Sequence, residues 1–172
     1  FDVADKEAVF NAFNTLPEDW KNIDVLINNA GNAHGLARFQ DADLDDLDAM
    51  IDSNVKGLIY VTRACLAFLE KSNNAHIVNL SSIAGKQVYT NGTTYCASKW
   101  AVEALTKGMR LDFLPLGIKV TSVAPGAVET EFSLVRFKGD ENTASNVYKG
   151  FEPLQAENIA DNIAFIINQP KH

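Results

Sequence analysis

Tyr95 and Lys99 are the residues whose types and spacing could do chemistry in this chain. They lie in the stretch Asn91-Gly-Thr-Thr-Tyr95-Cys-Ala-Ser-Lys99-Trp-Ala-Val-Glu-Ala-Leu105. If the run from Thr94 onward is helical, the two stand one turn apart on one face and bring a phenol and an ammonium group into the same pocket. A phenol titrates near pH ~10, and a fixed cation close by favours the phenolate. Tuning the group to ~7 takes roughly 4 kcal/mol of differential interaction, within reach of one partly desolvated ammonium and its hydrogen bonds. The pair is therefore expected to move a proton near neutral pH. Spacing alone does not decide this. A Tyr followed four places later by a Lys arises by chance in roughly a quarter of sequences of this composition, and a solvated helix face reads the same way.

The elements that must position the pair belong to a chain of 172 residues, 47% hydrophobic and 22% charged, which suits one soluble globular domain spanning 1–172. The net charge of −7 argues against nucleic-acid or anionic-membrane partners, since both need a basic patch. No apolar run reaches the ~20 residues of a membrane span, and no signal-peptide pattern opens the chain. Cys65 and Cys96 lack CxxC spacing, which suits a reducing compartment and a cytoplasmic location. Without a secretion signal, the triplets Asn79-Leu-Ser81 and Asn91-Gly-Thr93 are not read as glycosylation sites. His34, His76 and His172 have no metal-ligand spacing with Cys or each other, so no metal is assigned. The first residue is Phe1 rather than Met, and Phe1-Asp-Val3 reads as the tail of a strand in a longer polypeptide.

After Val3, the positions Val9, Ala12, Phe13 and Leu16 form a helical stripe, with Asp5 available as its N-cap and Pro17 beyond its end. Asp24-Val-Leu-Ile27 predicts a buried strand that stops at Asn28-Asn-Ala-Gly31, the way an α/β sheet presents a ligand crevice at its carboxyl edge. From Asp43, Leu47, Ile51, Asn54, Leu58, Val61, Cys65 and Phe68 recur at alternating spacings of four and three, which predicts one long helix. Asn54 is the polar exception on that stripe and must be either a structural tie or part of a site. The acidic cluster Asp41, Asp43, Asp45, Asp46 and Asp48 is read as an exposed helix start. Ala75 to Leu80 predicts a second strand with Ser81 and Ser82 at its end, and Ile118 to Val123 a third, ending in Ala124-Pro-Gly126. The helix of Tyr95 runs on to Phe113, before Pro115 and Gly117. A polar loop is expected from Ala127 to Gly150, then a helix near Gln155 to Ile167 with Ile159, Ile163 and Ile166 inward. Alternating strands and helices imply a parallel sheet covered on both sides, an α/β fold of Rossmann-like, doubly wound type.

In such a sheet the strand ends share one crevice. Asn28-Asn-Ala-Gly31, Ser82 placed thirteen residues before Tyr95, Tyr95-x-x-x-Lys99 and Pro125-Gly-x-Val-x-Thr130 appear in that order, and the set resembles the short-chain dehydrogenase/reductase family over essentially the whole chain. The resemblance implies that Tyr95 is the general acid/base and that Lys99 lowers its pKa and bonds the nicotinamide ribose. It implies that Ser82 holds and polarises the substrate oxygen, and that Asn54 anchors a water to the lysine. Asp2 and Val3 match the pair that contacts the adenine. Asn29, with Ala30 and Gly31, matches the adenosine-ribose contact. The backbone from Pro125 through Gly126, Ala127 and Val128 to Thr130 would line the nicotinamide and its phosphates.

Thr130-Glu-Phe-Ser-Leu-Val-Arg-Phe-Lys-Gly-Asp140 is similar to the NADP-dependent 3-hydroxy acid dehydrogenases that act on serine, allo-threonine and related small acids. NADP is thereby the expected cofactor, with NAD not excluded, and a small molecule the expected substrate. Arg136 is a candidate for its carboxylate, beside Ser82 and Tyr95, although a solvated loop charge fits as well. A 3-ketoacyl thioester reductase and a non-catalytic scaffold are the alternatives. The family's glycine-rich phosphate turn falls about fifty residues before Asp2 in the pattern, outside this sequence. Similar enzymes pair two helices, here 44–70 and 95–114, into dimers or tetramers.

Overall fold

Asp5 starts the first helix as expected. In the structure, a computed structural model that describes residues 1–170, its side chain accepts from the Ala8 N–H at 3.0 Å and opens α1 (Lys6–Asn14). Lys171 and His172, one of the three histidines considered above, lie outside the described residues. Three apolar runs form parallel strands, β1 (Val25–Asn28), β2 (His76–Leu80) and β3 (Lys119–Val123), ordered β1-β2-β3. The register sets Leu26 beside Ile77 and Ile77 beside Val120. These residues form one core with Cys65, Leu69, Ala75 and Ile118, against which Phe13, Met109 and Phe113 pack.

That core explains where the helices lie. α2 (Leu44–Ile51) is capped by Asp43, which accepts from the Asp45 N–H, so the acidic cluster does serve as a helix start. α3 (Leu58–Leu69) and α4 (Thr93–Asp112) pack on the strands, and α1 packs on α3. The cover is uneven. Strand alternation turns Val25 and Ile27 to the opposite face, where Ile27 is 42% exposed.

Three expectations change. The stripe from Leu47 to Phe68 is not one regular helix, because a π-helical turn (Asp52–Gly57) separates α2 from α3. Such a turn inserts extra backbone without breaking the apolar rhythm, so periodicity reads straight through it. Phe1-Asp-Val3 is not a strand; Val3 packs against Gly57 at the end of the π turn. The segment 127–150 is not a plain loop. It holds β4 (Val128–Glu129), α5 (Phe132–Arg136) and α6 (Glu141–Asn146), and β4 pairs in parallel with β5 (Leu154–Gln155) ahead of α7 (Ala156–Ile167). Among the described residues no helix is long and apolar enough to cross a membrane.

Buried amides and hydroxyls join the layers near the carboxyl edge. Asn28 Nδ2 donates to Thr62 Oγ1 at 2.9 Å and to Asn79 Oδ1 at 2.8 Å, and Asn79 Nδ2 donates to Thr106 Oγ1 at 2.9 Å. One chain of bonds thus runs from α3 across β1 and β2 to α4. Asn79 is fully buried. Asn79→Ala is expected to cost about 1–3 kcal/mol, because it takes one hydrogen-bond partner each from the buried Asn28 amide and Thr106 hydroxyl, away from water. A drop in the urea midpoint at unchanged m-value is the measurement that checks it.

Candidate functional site

Backbone pairing continues past the ends of β2 and β3. Ser81 N–H donates to Val123 O at 2.7 Å, and Ile83 N–H donates to Pro125 O at 2.9 Å. Ser82 is held between these two bonds, in extended conformation, with its hydroxyl accepting from Ala84 N–H. Pro125-Gly126 is thereby fixed beside Ser82, and α4 supplies the facing side chains. Tyr95 and Lys99 lie on the same face of α4, as the spacing requires. Glu103, one turn further along, accepts from Ser122 Oγ at 2.5 Å and ties α4 to β3.

The electrostatics of the pair depart from the sequence expectation. Lys99 Nζ donates to Leu80 O at 2.9 Å and lies 5.9 Å from the centre of the Tyr95 ring, so it is not paired with the phenol. Burial pushes the Tyr95 phenol up to about 12, not down; hydrogen bonding with Ser82 and the positive charge of Arg136 oppose this but are smaller. Burial also pushes the Lys99 ammonium down to about 8. In this arrangement desolvation sets the direction of the Tyr95 shift, and the Lys99 ammonium is directed at the Leu80 carbonyl rather than at the phenol.

A pH dependence follows from Lys99. An unfolded lysine titrates near ~10.4, so between about pH 8 and pH 10 the unfolded chain binds more protons than the folded one. Stability contributed at Lys99 therefore rises with pH through that window. Urea midpoints measured from pH 7.5 to 9.5 should show a positive slope that flattens in Lys99→Met.

Asn54 occupies the π turn and is 2% exposed. Its Oδ1 accepts from Asn32 N–H at 2.8 Å, and its Nδ2 donates to Asn32 O at 2.8 Å and to Ser98 Oγ at 3.0 Å. The amide thus ties the loop after β1 to α4. It sits directly behind Gly31, where a Cβ would come within 2.9 Å of Asn54 Oδ1 and 3.5 Å of Lys99 Nζ. A side chain at this position would press on the Asn54 amide.

One cavity of about 530 Å³ collects most of the expected residues: Asn29, Gly31, Ser82, Tyr95 and Lys99, the strip Pro125, Gly126, Ala127, Val128 and Thr130, and Arg136. Asp2, Val3, Ala30 and Asn54 are not on its wall. Asp2 accepts from Ala4 N–H at the start of the chain, and Asn54 acts from behind Gly31. The sequence reading missed Tyr89 and Phe132, which both line the cavity; the Phe132 ring lies 5.7 Å from that of Tyr95. It set Ile159 and Ile163 on the inner face of the last helix, and these two side chains of α7 line the cavity. The aromatic residues carry no spacing signal. The isoleucine stripe was visible, but periodicity does not say what stands opposite it. Among the described residues no cluster of three or more His, Cys, Asp or Glu could hold a metal ion.

With this geometry in place, similarity to known proteins becomes decisive. Residues 1–140 match the family model described as short chain dehydrogenase. The chain belongs to that family. Among its relatives, the NADP-dependent 3-hydroxy acid dehydrogenase of Schizosaccharomyces pombe is 42% identical over 98% of this chain and 65% of its own length. Sulfoacetaldehyde reductase 2 of Chromohalobacter salexigens is 43% identical over 99% of this chain and 68% of its own length. A solved structure described as the closed form of serine dehydrogenase complexed with NADP+ superposes with a TM-score of 0.96 and 38% identity, over 100% of this chain and 70% of that one. The chain thus spans about two thirds of the length of these short chain dehydrogenases. The matched span stops short of α7, so Ile159 and Ile163 lie beyond it.

Proposed function

We propose that this chain carries the catalytic wall of an NADP-dependent oxidoreductase acting on a small 3-hydroxy acid, in one domain spanning 1–172. The observation that carries the reading is the convergence of Ser82, Tyr95, Lys99 and Arg136 on one cavity. The residues present fit the nicotinamide half of a dinucleotide. Gly31 leaves open backbone beside Lys99, and Gly126 meets nothing closer than Ile83 at 3.9 Å from its would-be Cβ. Asn29, Ala30 and Gly31 would hold the ribose side, Lys99 the nicotinamide ribose, and Pro125 through Thr130 the ring and phosphates; Asp2 and Val3 would reach the adenine. When bound, the nicotinamide supplies the hydride acceptor or donor.

This chain's own residues supply the rest. Ser82 Oγ donates to the substrate oxygen and holds it against Tyr95. Tyr95 Oη exchanges the proton of that oxygen, and as a buried, protonated phenol it is poised to donate in the direction of carbonyl reduction. Lys99 spends one N–H on Leu80 O and keeps two for the ribose and the proton relay. Asn54 acts at one remove by fixing Asn32 and thus Gly31. Arg136 pairs with the substrate carboxylate. This favours a free acid over a thioester.

Two further features complete the reading. The outward face of α4 presents Trp100, 50% exposed, and Leu111, 74% exposed, and supports self-association with α3 of neighbouring copies into a dimer or tetramer. Cys65 and Cys96 are buried free thiols, in keeping with the cytoplasm. The test is steady-state oxidation of L-serine and 3-hydroxypropanoate by the complete protein with NADP+ or NAD+. Turnover favouring NADP+ is expected. Failure to bind either dinucleotide in a titration would overturn the reading.

A further inference from the structure

Arg136 is a half-buried cation with no carboxylate within ion-pair distance among the described residues. Its position is nevertheless set twice. The Gly35 N–H donates to Arg136 O at 2.8 Å, and Arg136 Nε donates back to Gly35 O at 3.0 Å. The two Nη groups make no hydrogen bond among the described residues, on a guanidinium whose Cζ lies 5.7 Å from the ring centres of both Tyr89 and Tyr95. Its charge opposes the upward push of burial on the Tyr89 phenol. Tyr89 in turn is seated by Gly92 at the start of α4, where a Cβ would fall 2.2 Å from Tyr89 Cε2 and 2.4 Å from its Cζ. Any other residue at 92 would displace the ring.

We propose that Tyr89 is a specificity-determining residue: its hydroxyl and the Nη groups of Arg136 form a three-donor corner that binds the anionic head of the substrate, carboxylate or sulfonate, beside the Tyr95 phenol. The inference rests on the oxidoreductase reading above. It narrows the substrate class through distance. A guanidinium as close to the Tyr95 ring as to the Tyr89 ring leaves room for only a short skeleton between the anion and the reacting carbon. A 3-hydroxy acid has one carbon there. A 2-hydroxyethanesulfonate has the same one carbon between its sulfur and its carbinol carbon, and the relative named as a sulfoacetaldehyde reductase acts, by its name, on the aldehyde of that skeleton. Three donors suit either group, since a carboxylate can take the Arg136 fork bidentately and a sulfonate offers a third oxygen to Tyr89.

The experiment compares the complete wild-type protein with Tyr89→Phe and Gly92→Ala on 3-hydroxypropanoate, 2-hydroxyethanesulfonate and 1-propanol. In parallel, calorimetry measures the Kd of the unreactive anions propanoate and ethanesulfonate. In both variants kcat/KM for the two anionic substrates, taken relative to that for 1-propanol, is expected to fall about tenfold or more, through KM rather than kcat. The anion Kd should rise by a similar factor in Tyr89→Phe. An equal loss on 1-propanol, an unchanged anion Kd, or no anion binding by the wild type would each overturn the proposal. Turnover of all three substrates without anion preference would do so as well, while leaving the oxidoreductase reading intact. Absent dinucleotide binding would remove that reading, and the Kd comparison would still decide the role of Tyr89.

Discussion

Tyr95→Phe is expected to lower kcat by about 10²–10⁴-fold, the usual contribution of a positioned acid/base. The substitution removes a single oxygen. The ring keeps its place against Phe132 and its burial, so the change falls on proton exchange rather than on packing. Thermal unfolding should accordingly shift little. Single-turnover kinetics with NADP+ bound separates this from a binding defect: the hydride step itself should slow. Near-normal turnover would take Tyr95 out of the mechanism and leave Ser82 and Lys99 to explain the cavity alone.

Asn54→Ala is expected to have the largest effect on stability of any single change at the site, about 2–4 kcal/mol. It removes two bonds to the Asn32 backbone and one to Ser98, and leaves the N–H and C=O of Asn32 without partners at the back of the cavity. Activity should fall as well, since Gly31 loses the group behind it and moves relative to Lys99. Asn54→Asp keeps acceptors for Asn32 N–H and Ser53 Oγ but sets a buried carboxylate against Asn32 O, so its unfolding midpoint should also fall below that of wild type. Denaturant unfolding gives the first number and kcat/KM the second. A midpoint unchanged in Ala would mean that the loop after β1 is held by something other than this amide.

The parts of the molecule that could be read from the sequence are those where one physical signal dominates. β1, β2 and β3 are short apolar runs stopped by small polar residues, and nothing else in the chain competes for that description. Asp5 and Asp43 announce helix starts because a carboxylate at that point has free N–H groups to accept from. Where two signals compete, the reading failed. The π turn leaves the apolar rhythm around Asn54 intact while re-aiming its side chain, so rhythm suggested a regular helix. α5 and α6 are too short to show a period, and α6 has the polar composition of a loop. The four-residue spacing of Tyr95 and Lys99 implied proximity, and proximity was delivered; the direction of the ammonium, toward Leu80 O, depends on the end of β2 and is invisible in spacing.

The two sides of the cavity differ in how they are anchored. Ser82, Tyr95 and Lys99 stand on a sheet end and a helix that share the main core, while the opposite side is built from 128–167, where α7 buries no residue fully and only Ser133 and Ala144 are buried in the segment before it. Exchanging Ile159 or Ile163 breaks no buried side-chain hydrogen bond among the described residues, whereas changes around Asn79 or Asn54 do. Mutation is thus far freer to redraw which acid fits than to alter what is done to it, so a lineage of such proteins would diversify in diet sooner than in chemistry.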